Sequence, residues 1–152
     1  MKLYNYIKPD FINLDIKAKD KKGVIEELAA PLSEYAGIER DELVKTLLER
    51  ERLGSTGIGK GIAIPHGKVK NLKELMIGFG LSPDGVNFDS IDNKPVFIFF
   101  VIITPDNSTG DHLRVLAKIS RLLRENEIRE EIIRVSDKEE VLKLIEDNDT
   151  ND

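Results

Sequence analysis

Cysteine is absent from this 152-residue chain, and histidine occurs only twice. The absence of cysteine excludes a disulfide framework, a thiolate zinc site and a cysteine nucleophile. Long hydrophobic runs are also missing, because the longest, residues 95–103, is about half the length of a membrane-spanning helix. The amino-terminal residues lack the apolar segment of a signal peptide. We therefore expect a cytoplasmic protein that does not insert into a membrane.

A basic surface is lacking too, because 28 acidic residues outnumber 23 lysines and arginines and give a net charge of −5. Proteins that bind nucleic acids normally carry a basic face, so this charge argues against a nucleic-acid partner. The length and the 40% hydrophobic content suit one domain with its own core. Residues 1–146 are expected to form that domain, and the polar residues 147–152 are expected to be a disordered tail.

Hydrophobic periodicity predicts an α/β fold in which a mixed β-sheet is flanked by helices and the C-terminal third is helical. The almost wholly apolar segment 95–103 is predicted to be a central strand that is buried on both faces. The other predicted strands are residues 11–16, 61–65 and 75–81. Helices are predicted at 21–35, 39–51, 111–124, 127–134 and 137–147.

Local signals refine these boundaries. Pro31 is expected to kink the first helix or to end its first part, because proline lacks the N–H that an internal helical position donates. The sequence Ser82-Pro-Asp-Gly85 predicts a turn. Ser136, with Glu139 three residues later, predicts a capping box at the start of the last helix.

The segment from Gly54 to Gly67, with the sequence GSTGIGKGIAIPHG, carries the most distinctive chemistry of the chain. It places His66 between a proline and a glycine, after a short apolar run and a glycine-rich stretch with two hydroxyl side chains. Arg50 and Arg52 precede it. A lone imidazole, a glycine-rich backbone and nearby arginines suit the handling of a phosphoryl group. Either the loop binds the phosphates of a nucleotide, or His66 itself carries a phosphoryl group.

The nucleotide interpretation rests on residues 54–60, which fit the start of a Walker A loop, G-x-x-x-x-G-K. The next position should be a serine or threonine that binds magnesium, but it is Gly61. A Walker A loop also follows a buried strand and opens a helix, whereas residues 39–51 read as an amphipathic helix and Pro65 prevents a long helix after the loop. Both departures disfavour nucleotide binding.

The phosphohistidine interpretation is supported by a resemblance that covers nearly the whole chain. The chain resembles the type-2 IIA proteins of the bacterial phosphoenolpyruvate-dependent phosphotransferase system, and more closely their fructose and nitrogen-regulatory branches than their mannitol branch. The residues that match are Arg50-Glu51, Gly54-Ser-Thr-Gly-Ile-Gly59, Ile62-Ala-Ile-Pro-His-Gly-Lys68, His112-Leu113 and Leu116-Ala117.

The resemblance implies that His66 accepts a phosphoryl group from the phosphohistidine of the carrier HPr and passes it to a IIB domain. It also implies that His112 lies close to His66 and that Arg50 binds the phosphoryl oxygens. Ser55 and Thr56 are further candidate hydrogen-bond donors to the phosphoryl group. No cofactor and no metal are expected, because arginine and backbone dipoles can stabilise the transferred charge.

The chemistry of transfer adds two requirements. His66 must attack through a neutral ring nitrogen, and its other nitrogen needs an acceptor that fixes the tautomer. The sequence identifies neither that acceptor nor the attacking atom. The donor must also dock against His66, and Leu53 and Ile58 are candidates for the rim of the docking surface.

Two functions therefore remain open from the sequence. One is a relay component that passes its phosphoryl group to the IIB protein of a fructose-type sugar transport system. The alternative is a nitrogen-regulatory type of IIA protein, in which phosphorylation of His66 controls binding to target proteins. Both use the same histidine, so the motif does not separate them.

Overall fold

In the computed structural model, which describes residues 1–149, a mixed six-stranded sheet lies between two layers of helices. Two short 3-10 turns, Leu3–Tyr6 and Pro9–Phe11, precede the first strand. The strands are β1 (Ile12–Asn13), β2 (Gly57–Gly59), β3 (Ile62–Ala63), β4 (His66–Val69), β5 (Met76–Val86) and β6 (Val96–Pro105). The helices are α1 (Lys21–Ala36), α2 (Arg40–Arg52), α3 (Thr109–Leu122), α4 (Asn126–Ile133) and α5 (Lys138–Asn148).

Strand β6 is central, as its apolar sequence predicts. It pairs antiparallel with β5 on one side and parallel with β3 and then β4 on the other, in the order β1-β5-β6-β3-β2 with β4 also on β6. Its side chains alternate between the two faces, because successive residues of a strand point in opposite directions. Phe99, Val101 and Ile103 belong to one hydrophobic core, whereas Phe100 and Ile102 belong to the other.

Each core joins the sheet to one helical layer. Buried residues of α1 and α2 contribute to the first core, and buried residues of α3, α4 and α5 contribute to the second. The predicted α/β class, the mixed sheet and the helical C-terminal part are therefore confirmed. Helix α3 begins shortly after the carboxyl end of β6, so its first turn lies at the end of the sheet where the parallel strand β4 also ends.

The predicted strand 11–16 is wrong in its extent, since β1 comprises Ile12 and Asn13, and Ile16 keeps a single backbone hydrogen bond to Leu81 of β5. The Asn13 side chain accepts a hydrogen bond from the Asp15 backbone N–H at 2.9 Å, which turns the chain. The carboxylate of Glu27 then accepts from the backbone N–H groups of Lys17 and Ala18. The turn at Asp15 thus interrupts the strand before its predicted end.

Helix α1 does not end at Pro31, in contrast to one of the two expected outcomes, and runs on to Ala36. Val24, Ile25 and Leu28 before the proline and Leu32 after it are all buried against the sheet. Burial of each such side chain contributes roughly 1.5–3 kcal/mol, which outweighs one missing hydrogen bond.

Two local predictions need correction. Residues 82–85 lie within β5 and form an irregularity in its pairing, in which the Gly85 N–H donates to the Ser82 hydroxyl. The capping residue of α5 is Asp137, whose carboxylate accepts from the Glu140 N–H at 2.8 Å. The cap therefore lies one residue later than predicted, because a carboxylate at residue 137 takes the role expected of the hydroxyl at residue 136.

Residues 147–149 of the expected polar tail belong to the described fold. Helix α5 extends to Asn148, and the Asp149 carboxylate accepts from the Leu3 N–H at 2.7 Å. Residues 150–152 of the expected tail lie outside the described residues. Within residues 1–149, none of the helices combines the length and apolar character needed to cross a membrane.

Candidate active site

The glycine-rich segment forms a hairpin rather than a phosphate-binding loop. Strands β2 and β3 pair antiparallel, and the turn between them is Gly59-Lys60-Gly61, in which all three residues have a positive φ. The Lys60 N–H donates to the Asp92 carboxylate at 3.2 Å. The segment therefore lacks the strand-to-helix context that a Walker A loop requires.

His66 begins β4, at the edge of the sheet beside α2. In the next residue, Gly67, an added Cβ would lie 3.0 Å from the Thr46 Cγ2 atom of α2. Glycine therefore allows β4 to approach α2 closely. This approach brings Arg50, near the carboxyl end of α2, to the ring of His66.

Both ring nitrogens of His66 have partners. Nδ1 lies 2.7 Å from the Ile64 carbonyl oxygen, which can only accept, so Nδ1 carries the proton and donates it. The Nε2 lone pair accepts from the Nε of Arg50 at 3.2 Å. The Ile64 carbonyl is thus the acceptor that the sequence did not identify, and Nε2 is the nitrogen with an electron pair available for attack.

The guanidinium of Arg50 is itself held in place. Its Nη1 donates to the Gly54 carbonyl at 2.9 Å while its Nε faces His66. The planar group therefore spans the glycine-rich segment and the imidazole. This geometry places a cation with several donors beside Nε2, as the binding of phosphoryl oxygens requires.

The structure brings His112 to His66, as expected. The two ring centroids lie 5.3 Å apart with a tilt of 57° between the planes. His112 lies in the first turns of α3 and is only 6% exposed. Its Nδ1 lies 2.7 Å from the hydroxyl of Thr104, near the end of β6.

Electrostatics keeps both imidazoles neutral. Burial lowers the pKa of His66 below its ordinary value, and the Arg50 charge lowers this pKa further, against the opposing effects of the Ile64 carbonyl and Glu51. Burial, with the neighbouring His66 and Lys68, lowers the pKa of His112 to about 4. A neutral ring keeps the lone pair that a nucleophile needs.

The structure does not bring the hydroxyls of Ser55 and Thr56 to the imidazoles. Ser55 donates to the Phe88 carbonyl at 3.2 Å and accepts from the Gly57 N–H. Thr56 is buried and donates to the Glu51 carboxylate. Each hydroxyl proton already has an acceptor that fixes the loop, so the predicted contact of these residues with a phosphoryl group has no support in this arrangement.

Glu51 is a residue whose role sequence reasoning missed. Its buried carboxylate accepts from the N–H and hydroxyl of Thr56 and lies 3.5 Å from Lys21 Nζ. A signal was present, because an acidic residue in the last turn of a helix opposes the helix dipole and needs a specific partner. Glu51 anchors the glycine-rich segment to α2 directly after Arg50.

Exposed apolar side chains lie around these residues. Leu53, at the end of α2, is 85% exposed, and Ile58 in β2 is 45% exposed. Leu113, which follows His112, is also exposed. Among residues 1–149, no three His, Cys, Asp or Glu side chains are grouped closely enough to bind a metal ion.

Known proteins resemble this chain along almost its whole length. Residues 5–148 match the family described as phosphoenolpyruvate-dependent sugar phosphotransferase system, EIIA 2. A nitrogen regulatory protein from Bradyrhizobium diazoefficiens is 36% identical over 87% of this chain and 86% of its own length. The fructose-specific EIIA component of a phosphotransferase system from Haloferax volcanii is 33% identical over 90% of this chain and 89% of its own.

Solved structures agree with this assignment. The nitrogen regulatory protein IIA-Ntr from Neisseria meningitidis has a TM-score of 0.89 at 35% identity, covering 93% of this chain and 97% of its own. Enzyme IIA of the mannitol system from Escherichia coli, in complex with phosphorylated enzyme IIB, has a TM-score of 0.78 at 25% identity, with coverage of 91% and 97%. The chain belongs to the EIIA type-2 family of the phosphoenolpyruvate-dependent sugar phosphotransferase system.

Proposed function

We propose that this protein is a phosphocarrier that accepts a phosphoryl group on Nε2 of His66 from the phosphohistidine of HPr. One observation carries the proposal. Nδ1 donates its proton to the Ile64 carbonyl, so that Nε2 presents its lone pair beside the Arg50 guanidinium. This arrangement supplies a neutral nucleophile and a cation at the position where the transferred charge arrives.

The transfer step balances without a proton acceptor. As the bond between phosphorus and the donor nitrogen breaks, a bond between phosphorus and His66 Nε2 forms, and the donor nitrogen regains its electron pair. The His66 proton stays on Nδ1, held by the Ile64 carbonyl. Arg50 then donates to a phosphoryl oxygen instead of to Nε2, and His112 lies close enough to contribute a second donor.

The acceptor that we propose is the IIB protein of a fructose-type sugar transport system. The relative from Haloferax volcanii that is named as a fructose-specific EIIA component supports this acceptor. The solved complex of the mannitol IIA and IIB enzymes supports the same kind of exchange. On this proposal the relay operates in the cytoplasm.

A regulatory function is the second candidate. The nitrogen regulatory proteins from Bradyrhizobium diazoefficiens and Neisseria meningitidis, at 36% and 35% identity, favour it. In that case the phosphorylation state of His66 would control binding to a target protein. The chemistry at His66 is common to both candidates.

Incubation with phosphoenolpyruvate, enzyme I and HPr tests the shared step by intact mass spectrometry, with His66→Ala in parallel. We expect one acid-labile phosphoryl group on the wild type and none on the variant. Two-dimensional NMR of the phosphorylated protein should place phosphorus on Nε2. Failure of the wild type to gain phosphate, or attachment at Nδ1, would refute the proposal.

The acceptor is tested separately with the phosphorylated protein. Rapid loss of the phosphoryl group to a fructose-type IIB protein supports the relay. No transfer, combined with target binding that differs between the phosphorylated and unphosphorylated forms, supports the regulatory candidate and excludes the first.

A further inference from the structure

The Thr104 hydroxyl and the His112 ring form an isolated buried pair behind the proposed phosphorylation site. Thr104 has no exposed surface, and its Oγ1 lies 2.7 Å from His112 Nδ1. Thr104 lies near the carboxyl end of β6, and His112 lies in the first turns of the helix that comes next. The short connection between these two elements therefore sets the distance between the hydroxyl and the ring.

The direction of this hydrogen bond follows from counting protons. A threonine hydroxyl carries one proton, and a neutral imidazole carries a proton on only one of its nitrogens. If His112 Nδ1 were the donor, the Thr104 proton would need another acceptor, and within residues 1–149 the hydroxyl has no hydrogen-bond partner besides His112. A buried donor without an acceptor is costly, so Thr104 donates and His112 Nδ1 accepts.

An accepting Nδ1 leaves the ring proton on Nε2. We propose that Thr104 is a positioning residue that fixes His112 as the Nε2–H tautomer, the form that can donate a hydrogen bond to a phosphoryl oxygen on His66. This inference rests on the proposed function, because it assigns His112 a donor role towards the transferred group. Its first part, the tautomer, does not depend on phosphorylation.

The two neighbouring imidazoles then hold opposite tautomers. The Ile64 carbonyl, which can only accept, keeps the proton of His66 on Nδ1 and its lone pair on Nε2. The Thr104 hydroxyl keeps the lone pair of His112 on Nδ1 and its proton on Nε2. The centroids of the two imidazole rings lie 5.3 Å apart. One ring can attack phosphorus while the other donates to the oxygens, so the pair divides two roles that a single tautomer could not fill.

The lowered pKa of His112 supports this division. With a pKa of about 4, because of burial and the neighbouring His66 and Lys68, the ring is neutral in any neutral buffer. A protonated ring would donate through both nitrogens and would need no help from Thr104. For a neutral ring, the partner of Nδ1 decides whether Nε2 donates or accepts.

The test uses the whole protein labelled with 15N and long-range 1H–15N correlation spectra of the two imidazoles. In the unphosphorylated wild type we expect His112 with a protonated Nε2 and an unprotonated Nδ1, and His66 with the opposite pattern. This measurement needs no variant, so it does not depend on whether a substitution is tolerated. A wild-type His112 protonated on Nδ1 would overturn the inference.

Two variants at residue 104 connect the tautomer to the reaction. Thr104→Val keeps the branched shape of the side chain and removes its hydroxyl. Thr104→Ser keeps the hydroxyl and is the matched control. We expect Thr104→Val to lose the preference for the Nε2–H form and to accept phosphate roughly 10- to 100-fold more slowly, by analogy with the loss on removal of a residue that orients a metal-binding histidine. Thr104→Ser should keep both the tautomer and most of the rate.

The outcomes separate this inference from the proposed function. If wild type gains no phosphate although His112 has the expected tautomer, the proposed function fails and the donor role with it. If wild type is phosphorylated on His66 but Thr104→Val keeps the wild-type rate, the proposed function stands and the positioning role of Thr104 is refuted.

Discussion

Helix α3 buries two basic side chains in two different ways. His112, near its beginning, is 6% exposed, and Lys118, further along, is 4% exposed. The Lys118 ammonium lies 2.9 Å from the Asp149 carboxylate and donates to the Met1 carbonyl. Among the residues described, the one side-chain hydrogen bond of His112 is with the neutral Thr104 hydroxyl.

The difference shows how burial can serve structure or chemistry. A buried ammonium needs an opposite charge and hydrogen bonds to offset its lost hydration, and Lys118 has both. An imidazole can avoid the cost by remaining neutral, which leaves one nitrogen for chemistry. We therefore expect substitutions at Lys118 to change stability and substitutions at His112 to change phosphoryl transfer.

The largest expected effect is a loss of protein stability when the buried ion pair of Lys118 and Asp149 is broken. Removing one partner of a buried ion pair leaves the other charge uncompensated, so Asp149→Ala should lower the free energy of unfolding by about 3–5 kcal/mol. Chemical denaturation measures this loss. The double variant Lys118→Met with Asp149→Leu is the matched control and should recover most of the stability. Equal losses in the single and double variants would show that the uncompensated charge is not the cause.

A substitution of His112, at the beginning of α3, should instead slow phosphoryl transfer. His112→Gln removes the imidazole but keeps a polar side chain, and we expect His66 to accept phosphate roughly 100-fold more slowly, as when one donor to a transition-state oxyanion is removed. Rapid-quench measurement with phosphorylated HPr gives the rate. A normal rate would contradict the donor role of His112, and a misfolded protein by circular dichroism would contradict the division between structure and chemistry along α3.

Stability should depend on pH through His112. The pKa of about 4 in the folded protein is below the ordinary value, so between about pH 6.5 and 4 the unfolded chain binds a proton that the folded protein does not. The folded state therefore loses stability as the pH falls through this range, by about 1–2 kcal/mol at pH 5. Urea denaturation of wild type and His112→Gln at pH 7 and pH 5 isolates this contribution. An identical pH dependence in the two proteins would contradict it.

The smallest expected effect concerns exposed apolar residues. Leu53 at the end of α2 is near the proposed site, whereas Ile133 at the end of α4 is an exposed apolar residue of a different helix. If Leu53 belongs to a docking surface for HPr, Leu53→Asp should raise the KM for phosphorylated HPr about tenfold, the loss expected for one apolar contact of roughly 1–2 kcal/mol. Ile133→Asp is the control and should leave KM unchanged. Equal effects of both changes would refute a local docking surface.

Much of the architecture could be predicted from local pattern. The apolar run that became β6 and the charged, periodic sequence of α2 each point to one kind of element. Helix α1 has nearly its predicted extent, and it does not end at Pro31 because tertiary burial on both sides of the proline outweighs the local signal. Strand β1 was overestimated because the Asn13 side chain accepts the Asp15 backbone N–H and turns the chain inside the predicted strand.

The candidate site also has residues that the sequence predicts and residues that it does not. The motif and the resemblance identified His66, His112 and Arg50, and the structure brings all three together. Thr104 could not be recognised, because a threonine at the end of an apolar strand looks like any β-branched strand residue until its partner in the next helix is known. Ser55 and Thr56 were predicted as phosphoryl donors because they carry hydroxyls in a glycine-rich segment, and only the fold shows that these hydroxyls donate to Phe88 and Glu51.

The hydrogen bond from the Leu3 N–H to the Asp149 carboxylate joins residues separated by 146 positions. Closing so long a loop carries a large entropic cost, so this contact is expected to form late in folding. During synthesis the amino-terminal residues emerge first, and the buried ammonium of α3 has to wait for its carboxylate until the last helix has left the ribosome. The residues of the sheet and both histidines therefore emerge before the carboxylate that neutralises Lys118, which lies six residues beyond the second histidine.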